Sequence, residues 1–428
     1  MYTIKQLVPQ SLKNLYHLLQ AIAANLFYGF PTKKLKVIGV TGTDGKTTTV
    51  QMITRILEEA GKKVAMASTI NFRINGVEEK NLSHYTTTSS FAVQKFAAMA
   101  VREGCEYLVL ETSSHALDQH RVWGVKYKTA VITNVTREHL DYHKTIEEYR
   151  RAKKKLFEIV SKNSGKFIVN LDMENPEEFL DFNVGSKYGY TTGNQSLATS
   201  NQQIEVVQAE NIRLGIEGSE FMIHDSKFAV HLPALFNVEN ALGATCVALS
   251  EGIDLETIKE ALEKIKGVAG RLESVANDKG LNIIVDFALT PDSLEKLYGF
   301  LASVKKSDAK IISVFGSCGD RDRGKRPLMA EVVSRFAEFV IITNDEPYHE
   351  DPLKIIEEVA IGIKNKNEGE NYWKIPDRRE AIRKALDIAQ SGDIIAVTGM
   401  GAEESMIVGN KKIPWNDRKV IEEELQRM

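Results

Sequence analysis

The chain has 428 residues, and its 55 Lys and Arg against 58 Asp and Glu give a formal charge of −3 with histidine neutral. At roughly 150 residues per domain, that length exceeds one modest core and sets a soft expectation of about three domains. With 43% hydrophobic and 26% charged residues the composition excludes disordered, fibrous and polytopic membrane classes, and the near-balanced charge gives no reason to expect a nucleic-acid partner.

The first periodic stretch, QSLKNLYHLLQAIAANLFYGF at 10–30, is apolar but interrupted by Lys13, Asn14, His17, Gln20 and Asn25. Those polar residues argue against a spanning helix and a secretory signal. A helix docked on its own core is the simpler reading, with interfacial attachment or partner binding as the alternatives. After Pro31, short Val- and Ile-rich runs alternate with polar helical stretches: KVIGV, VAMAST, YLVLE, TAVITN and KFIVNLD. These read as strands of a largely parallel sheet covered by helices, an α/β fold. From Gln203 to Leu232 apolar and polar residues alternate around Gly215, Gly218 and Asp225, which predicts an antiparallel ribbon at the edge of the first core. A helix is expected from Asn237 through Ser250 and another over GIDLETIKEALEKI. A second αβ series follows, with strands in LNIIVDFAL, IISVFG, FVIITND and DIIAVTG, and KNKNEGEN at 364–371 reads as an exposed loop. The expected division is a leader at 1–35, a first domain at 36–268 and a second at 269–428. Cys105, Cys246 and Cys318 lie too far apart in sequence for a disulfide framework or a metal motif, which suits a reducing cytoplasm.

The strongest local signal is VIGVTGTDGKTTT, an apolar strand followed by a glycine-rich turn and a helix start. Gly42 and Gly45 permit close backbone approach, Lys46 can contact phosphate oxygens, and the Thr47 hydroxyl can ligate nucleotide-bound magnesium. Val40 stands where the usual phosphate loop begins with glycine. Glu111 follows the apolar run YLVL, which places its carboxylate at the carboxyl edge of the sheet, within reach of the same magnesium. A helix cap or buried hydrogen bond is the competing role. In NVTREHLDYH, His139 and nearby acids can complete a metal region or form a capping loop.

Taken together, TGTDGKTTT, LETSSHALDQHRV, TNVTREHLDYH, YRRAKKKLF, FNVENA, AGRLE, VDFALTPDSL, FGSCGDRDRGKRP and NDEPYHEDP resemble the ordered motifs of the Mur ligase family, across roughly residues 36–428. The resemblance implies a central P-loop ATPase-like domain with a mainly parallel sheet, then a Rossmann-like ligase domain that binds the amino acid. It implies an ADP-forming ligase that adds a free amino acid to a muramyl-peptide acceptor through an acyl phosphate. It further implies that Gly42, Thr43, Asp44, Gly45, Lys46, Thr47 and Thr48 hold ATP, with Asn237 and Asn240 toward the adenine and Arg271 and Asp286 completing the site on closure. By the same resemblance Thr47 and Glu111 hold one Mg2+. His139 and a carbamylated Lys153 serve a second, and Lys46, Glu111, His139 and Lys153 form the catalytic set. Read without the resemblance, Lys153 is a solvated helix lysine. Thr86, Thr87, Ser113, Gln119 and Arg121 would face the acceptor, and Arg321, Asp345, Glu346, Tyr348, Gly399 and Glu403 the amino acid.

The sequence departs from the family at the amino-acid end. Asp345-Glu346-Pro347-Tyr348 replaces an Asp-Asn-Pro-Arg motif, Leu289 stands where histidine is common, and Met400 and Ala402 interrupt a polar pattern. Losing that guanidinium argues against diaminopimelate and leaves lysine or another amino acid open. The family's separate amino-terminal domain, which holds the UDP end, is expected to be missing or reduced. The helix at 10–30 then serves a shortened acceptor site, a partner or a membrane-proximal substrate. Alternatives to the muramyl reading are a folate-polyglutamating ligase and a regulatory or scaffolding nucleotide binder.

Overall fold

The computed structural model describes residues 9–193 and 204–428, so the start of the expected ribbon at Gln203 lies outside the described residues. The first strands are β1 Lys36–Thr41, β2 Val64–Ala67, β3 Asn71–Ile74, β4 Val77–Lys80, β5 Tyr107–Glu111, β6 Tyr127–Ile132, β7 Lys166–Asn170, β8 Ser186–Thr191 and β9 Glu205–Gln208. They form one sheet in the order β4-β3-β2-β5-β1-β6-β7-β8-β9. Every neighbour pair from β2 to β9 is parallel, and β3 and β4 add an antiparallel edge. Alternate residues of β1 face opposite cores. Ile38 and Val40 pack with the helices Lys46–Glu59 and Leu235–Ser250, while Val37 packs with Ser90–Arg102 and Ile146–Ser161. Burial on both faces explains why the central strands read as continuous apolar runs.

The expected ribbon is corrected in one respect. β9 joins the large sheet in parallel, whereas β10 Glu210–Gly215, β11 Gly218–Ile223 and β12 Ser226–Val230 form a separate antiparallel sheet. Its alternation turns Phe221 and Phe228 inward as a stacked pair, with centroids 5.5 Å apart, in the core beneath Leu235–Ser250. That helix also begins earlier than expected, with Ala234 as its N-cap. Asn237 lies inside it and donates back to the Pro233 carbonyl at 2.7 Å.

The second sheet contains β13 Glu273–Val275, β14 Asn282–Asp286, β15 Ile311–Phe315, β16 Phe339–Thr343, β17 Tyr372–Ile375 and β18 Ile394–Thr398. Its order is β13-β14-β18-β15-β16-β17, antiparallel only at β13. Helices Pro291–Val304 and Lys325–Phe336 cover one face, Arg378–Ile388 and Asp417–Leu425 the other. A hairpin of β19 Ser405–Val408 and β20 Lys411–Pro414 stands beside the loop after β16, where Tyr348 bridges Val408.

Helix Gln10–Tyr28 docks on the first sheet's helical layer, as the simpler sequence reading expects. Asn25 donates to Trp123 O at 2.8 Å and Asn14 to Asp118 O at 3.2 Å, and Ala21 and Ala24 are fully buried. The opposite face leaves Leu12, Leu15, Leu19, Leu26 and Phe27 exposed. Among the described residues no helix is long and apolar enough to cross a membrane.

Candidate active site

The carboxyl ends of β1, β5, β6, β14, β16 and β18 converge on a cavity of about 760 Å3 between the two sheets, the edge at which open α/β sheets bind ligands. The phosphate loop enters from β1. Gly42 has φ +152°, and a Cβ there would lie 1.8 Å from Thr133 Oγ1; one on Gly45, at φ +80°, would lie 2.3 Å from Asn240 Oδ1. Both positions therefore require glycine. The loop is preformed: Asn134 Oδ1 accepts from the Asp44 amide at 2.9 Å, Thr133 Oγ1 donates to Asp44 O at 2.6 Å, and the Lys46 ammonium donates to Thr43 O at 2.7 Å. Helix Lys46–Glu59 begins at the loop and turns its amino end toward it, an arrangement suited to phosphate.

Glu111 ends β5 on the cavity wall, as its apolar run predicts. Its carboxylate accepts from Thr47 Oγ1 at 3.1 Å, Thr69 N at 2.8 Å and Thr69 Oγ1 at 2.9 Å. This hydroxyl and carboxylate are the hard oxygen donors magnesium takes. Among the described residues no group of three or more His, Cys, Asp and Glu could hold a metal alone.

Asn237 and Asn240 line the cavity, joined by Asn240 Nδ2 donating to Asn237 Oδ1 at 3.1 Å, and Thr49 donates to Asn240 at 3.2 Å. From the second sheet, Arg271 stacks 4.5 Å over Phe287 and reaches Thr47 Oγ1 at 3.4 Å. Asp286, at the end of β14, accepts from the amides of Leu272 and Ala288 at 2.7 Å each. Burial pushes the Asp286 carboxyl up, against the opposing pull of Arg271. The two units thus meet over the phosphate loop.

Most expected residues line this one cavity: Thr43, Asp44, Gly45, Lys46, Thr47, Thr48, Thr86, Glu111, Ser113, Gln119, Arg121, His139, Arg321, Asp345, Glu346, Tyr348, Gly399 and Glu403 all do so. Three do not. Gly42 lies beneath the wall. Thr87 is 1% exposed, donates to Glu111 O at 2.8 Å and accepts from Ser113 N at 2.9 Å, so it supports the wall instead of facing the acceptor. Lys153 is 1% exposed and donates to Gly42 O at 2.6 Å, which corrects the solvated reading. Its helix buries Tyr149, Lys153, Leu156, Phe157 and Val160, a helical period that places Lys153 on the core face. Burial, then Lys46, drives the Lys153 amine well below its usual value, toward the neutral form. Enclosure lowers His139 in the same sense, toward the neutral imidazole.

Sequence reasoning passed over Thr69, Lys325 and His84, all on the cavity wall. Lys325 reaches Glu138 at 3.5 Å across the gap between the two sheets. The GDRDRGKRP motif contains Lys325; nothing in the local sequence marks the other two.

A phosphate loop, a magnesium-type donor pair and a second αβ unit set over both define a nucleotide-binding α/β protein with its site between two units. Residues 40–248 match the Mur ligase middle domain and residues 270–401 the Mur ligase, glutamate ligase domain. The chain is 41% identical over 410 residues to the UDP-N-acetylmuramoyl-L-alanyl-D-glutamate--2,6-diaminopimelate ligase of Clostridium botulinum, covering 94% of this chain and 80% of that protein. It is 38% identical over 411 residues to the UDP-N-acetylmuramyl-tripeptide synthetase of a Roseiflexus species, covering 92% and 79%. A solved UDP-N-acetylmuramoyl-L-alanyl-D-glutamate--2,6-diaminopimelate ligase superposes with a TM-score of 0.60 at 30% identity, over 92% of this chain and 78% of that one. The chain belongs to the Mur ligase family. It is an ADP-forming acid–amino-acid ligase, and use of ATP and magnesium goes with that membership.

Proposed function

We propose that this ligase joins the terminal carboxylate of UDP-N-acetylmuramoyl-L-alanyl-D-glutamate, or a closely similar muramyl peptide, to the amine of an incoming amino acid in the cytoplasm. This reading is supported by one cavity lined by the phosphate loop, by Ser113, Gln119 and Arg121 from the first unit and by Arg321, Asp345, Glu346 and Glu403 from the second. ATP transfers its terminal phosphoryl group to the acceptor carboxylate, giving an acyl phosphate and ADP. The amine attacks the activated carbonyl, phosphate leaves, and an amide bond forms. Lys46 and the loop amides hold the phosphate oxygens as charge shifts among them. Thr47 and Glu111 would hold magnesium, which when bound supplies positive charge against those oxygens. Closure of the second unit brings amine and carbonyl together and excludes the water that would hydrolyse the intermediate.

Ser113, Gln119 and Arg121 form the acceptor side. Helix Gln10–Tyr28 contributes His17 and Gln20 to the same wall, which supports a role for it in acceptor binding. Burial, then the Arg121 charge, holds the His17 imidazole below its usual value. The neutral amine of Lys153 is the form that adds carbon dioxide, yielding a carbamate and a proton. The product would set an anion behind the phosphate loop near His139.

At the amino-acid end, Arg321 lies 5.2 Å over the Tyr348 ring, with the charges of Asp141 and Glu346 acting on it but no ion pair to either. It is the anchor for the incoming carboxylate. Tyr348 donates to Glu346 at 3.0 Å, and among the described residues Arg321 is the guanidinium that lines this corner, beside the Lys325 ammonium. The amino acid favoured by that chemistry carries a single carboxylate, as lysine does and diaminopimelate does not. ADP release beyond a single turnover is expected only when acceptor, amino acid and ATP are all present, with lysine outperforming diaminopimelate. ADP release unaffected by omitting either the acceptor or the amino acid would contradict the ligase assignment.

A further inference from the structure

We infer that His84 is a positioning residue that ties the acceptor-side loop to Glu403 and so sets the amino-acid end of the cleft. The inference rests on the ligase reading above and concerns a residue outside the chemistry just described.

His84 sits between β4 and helix Ser90–Arg102, on the side of the first sheet. Its Nδ1 lies 3.0 Å from Glu403 Oε2 and 3.8 Å from Glu346 Oε1, and its Nε2 lies 2.9 Å from Ser405 Oγ. All three partners belong to the second unit. Two flanking contacts cross the same gap: the Lys80 ammonium donates to Glu404, and Lys412 Nζ donates to Leu82 O at 3.0 Å. The β19–β20 hairpin is held from its other side as well. There the Ile407 amide donates to Glu346 Oε1 at 3.2 Å, and the Tyr348 amide to Ile407 O at 3.2 Å.

The same short loop continues into the acceptor side. Thr86 accepts from Thr69 Oγ1 at 3.2 Å, Thr87 donates to the Glu111 carbonyl, and Arg121 donates to the carbonyls of Thr87 and Thr88. Residues 84–88 therefore touch the wall where the carboxylate is activated and, through His84, the wall where the amine must wait. Both ring nitrogens of His84 are engaged, so it does not face a reacting atom. Its effect passes through Glu403, which lines the cavity wall. The Glu403 hydrogen bond first, then the charges of Glu403 and Glu346, hold the imidazole above its usual value against burial and Lys412. Protonation lets both nitrogens donate, which strengthens the tie.

The backbone at His84 is left-handed, with φ +57°. Asparagine tolerates that conformation but is too short to reach Glu403, whereas glutamine has the reach without the charge. In steady-state kinetics at saturating ATP and acceptor, His84→Asn is expected to raise the amino-acid KM about 10–100-fold with the ATP KM within about twofold of wild type, the effect of losing one charged hydrogen bond. His84→Gln should recover part of that loss. Amide hydrogen exchange over residues 403–409, which needs no turnover, should quicken in His84→Asn and less so in His84→Gln. An unchanged amino-acid KM overturns the positioning role, whether or not exchange quickens. If the wild-type protein releases no ADP with acceptor and amino acids, the ligase reading falls and hydrogen exchange decides the tie alone: unchanged exchange overturns it.

Discussion

Lys46→Met is expected to lower ligase turnover about 10²–10³-fold, the effect of removing one preorganised charge-stabilising donor from a site of this kind. The lysine stands at the first turn of its helix, and its ammonium bonds only its own loop, at Thr43 O. Among the described residues no other hydrogen bond depends on it, and its charge bears on the buried Lys153. The loop keeps its shape through Asn134 and Thr133, which donate to or accept from Asp44 without help from Lys46. The variant should therefore unfold at the wild-type denaturant concentration while losing turnover. Single-turnover ADP formation measured beside urea unfolding separates the two. A variant that keeps its turnover would remove the phosphate loop from the chemistry.

Arg378→Met is expected to destabilise the second unit by about 3–5 kcal/mol, because the buried Asp417 carboxylate, which accepts from the Trp415 indole N–H at 2.8 Å, is left without its cation. The Arg378 and Asp417 side chains are 1% and 0% exposed. They pair through two hydrogen bonds, Nε to Oδ1 at 2.8 Å and Nη2 to Oδ2 at 2.7 Å. The same guanidinium donates to Thr398 O at 2.9 Å and Asn344 O at 3.3 Å, the carbonyls just before Gly399 and Asp345. One ion pair thus pins two loops of the amino-acid end. The urea transition of the second unit should move to lower concentration with little change in slope. Replacing both partners with apolar residues should recover much of the loss, since the uncompensated charge is then gone. A single variant as stable as wild type would show that Asp417 finds another partner.

Much of this architecture was legible because two-sided burial writes itself into the strands. Glu111 and Asp286 each follow an unbroken apolar run, and each stands at the carboxyl edge where such a run ends. The phosphate loop was legible because Gly42 and Gly45 leave no room for a side chain. Lys153 was harder to read. Three consecutive lysines suggest a solvated face, and the side chains of Lys154 and Lys155 do remain 28% and 31% exposed. The helical spacing of Tyr149, Lys153, Leu156 and Phe157 carried the contrary signal. His84 was beyond reach: its partner Ser405 is 321 residues away in the chain, and a lone histidine in a polar loop has no periodic pattern to betray it. The three-stranded sheet separated from the large one for a related reason, since alternation specifies a pleated ribbon but not which edge it joins.

Amide-bond formation between a muramyl peptide and an amino acid is the chemistry proposed for this cavity. It is tested most directly by mass spectrometry of the product made from UDP-N-acetylmuramoyl-L-alanyl-D-glutamate, ATP, magnesium and a mixture of amino acids. The acceptor is expected to gain the mass of one amino acid less one water, with lysine chosen over diaminopimelate, and to lose that gain in Lys46→Met. An acceptor of unchanged mass, with ATP consumed or bound and no condensed product from any amino acid, would contradict it.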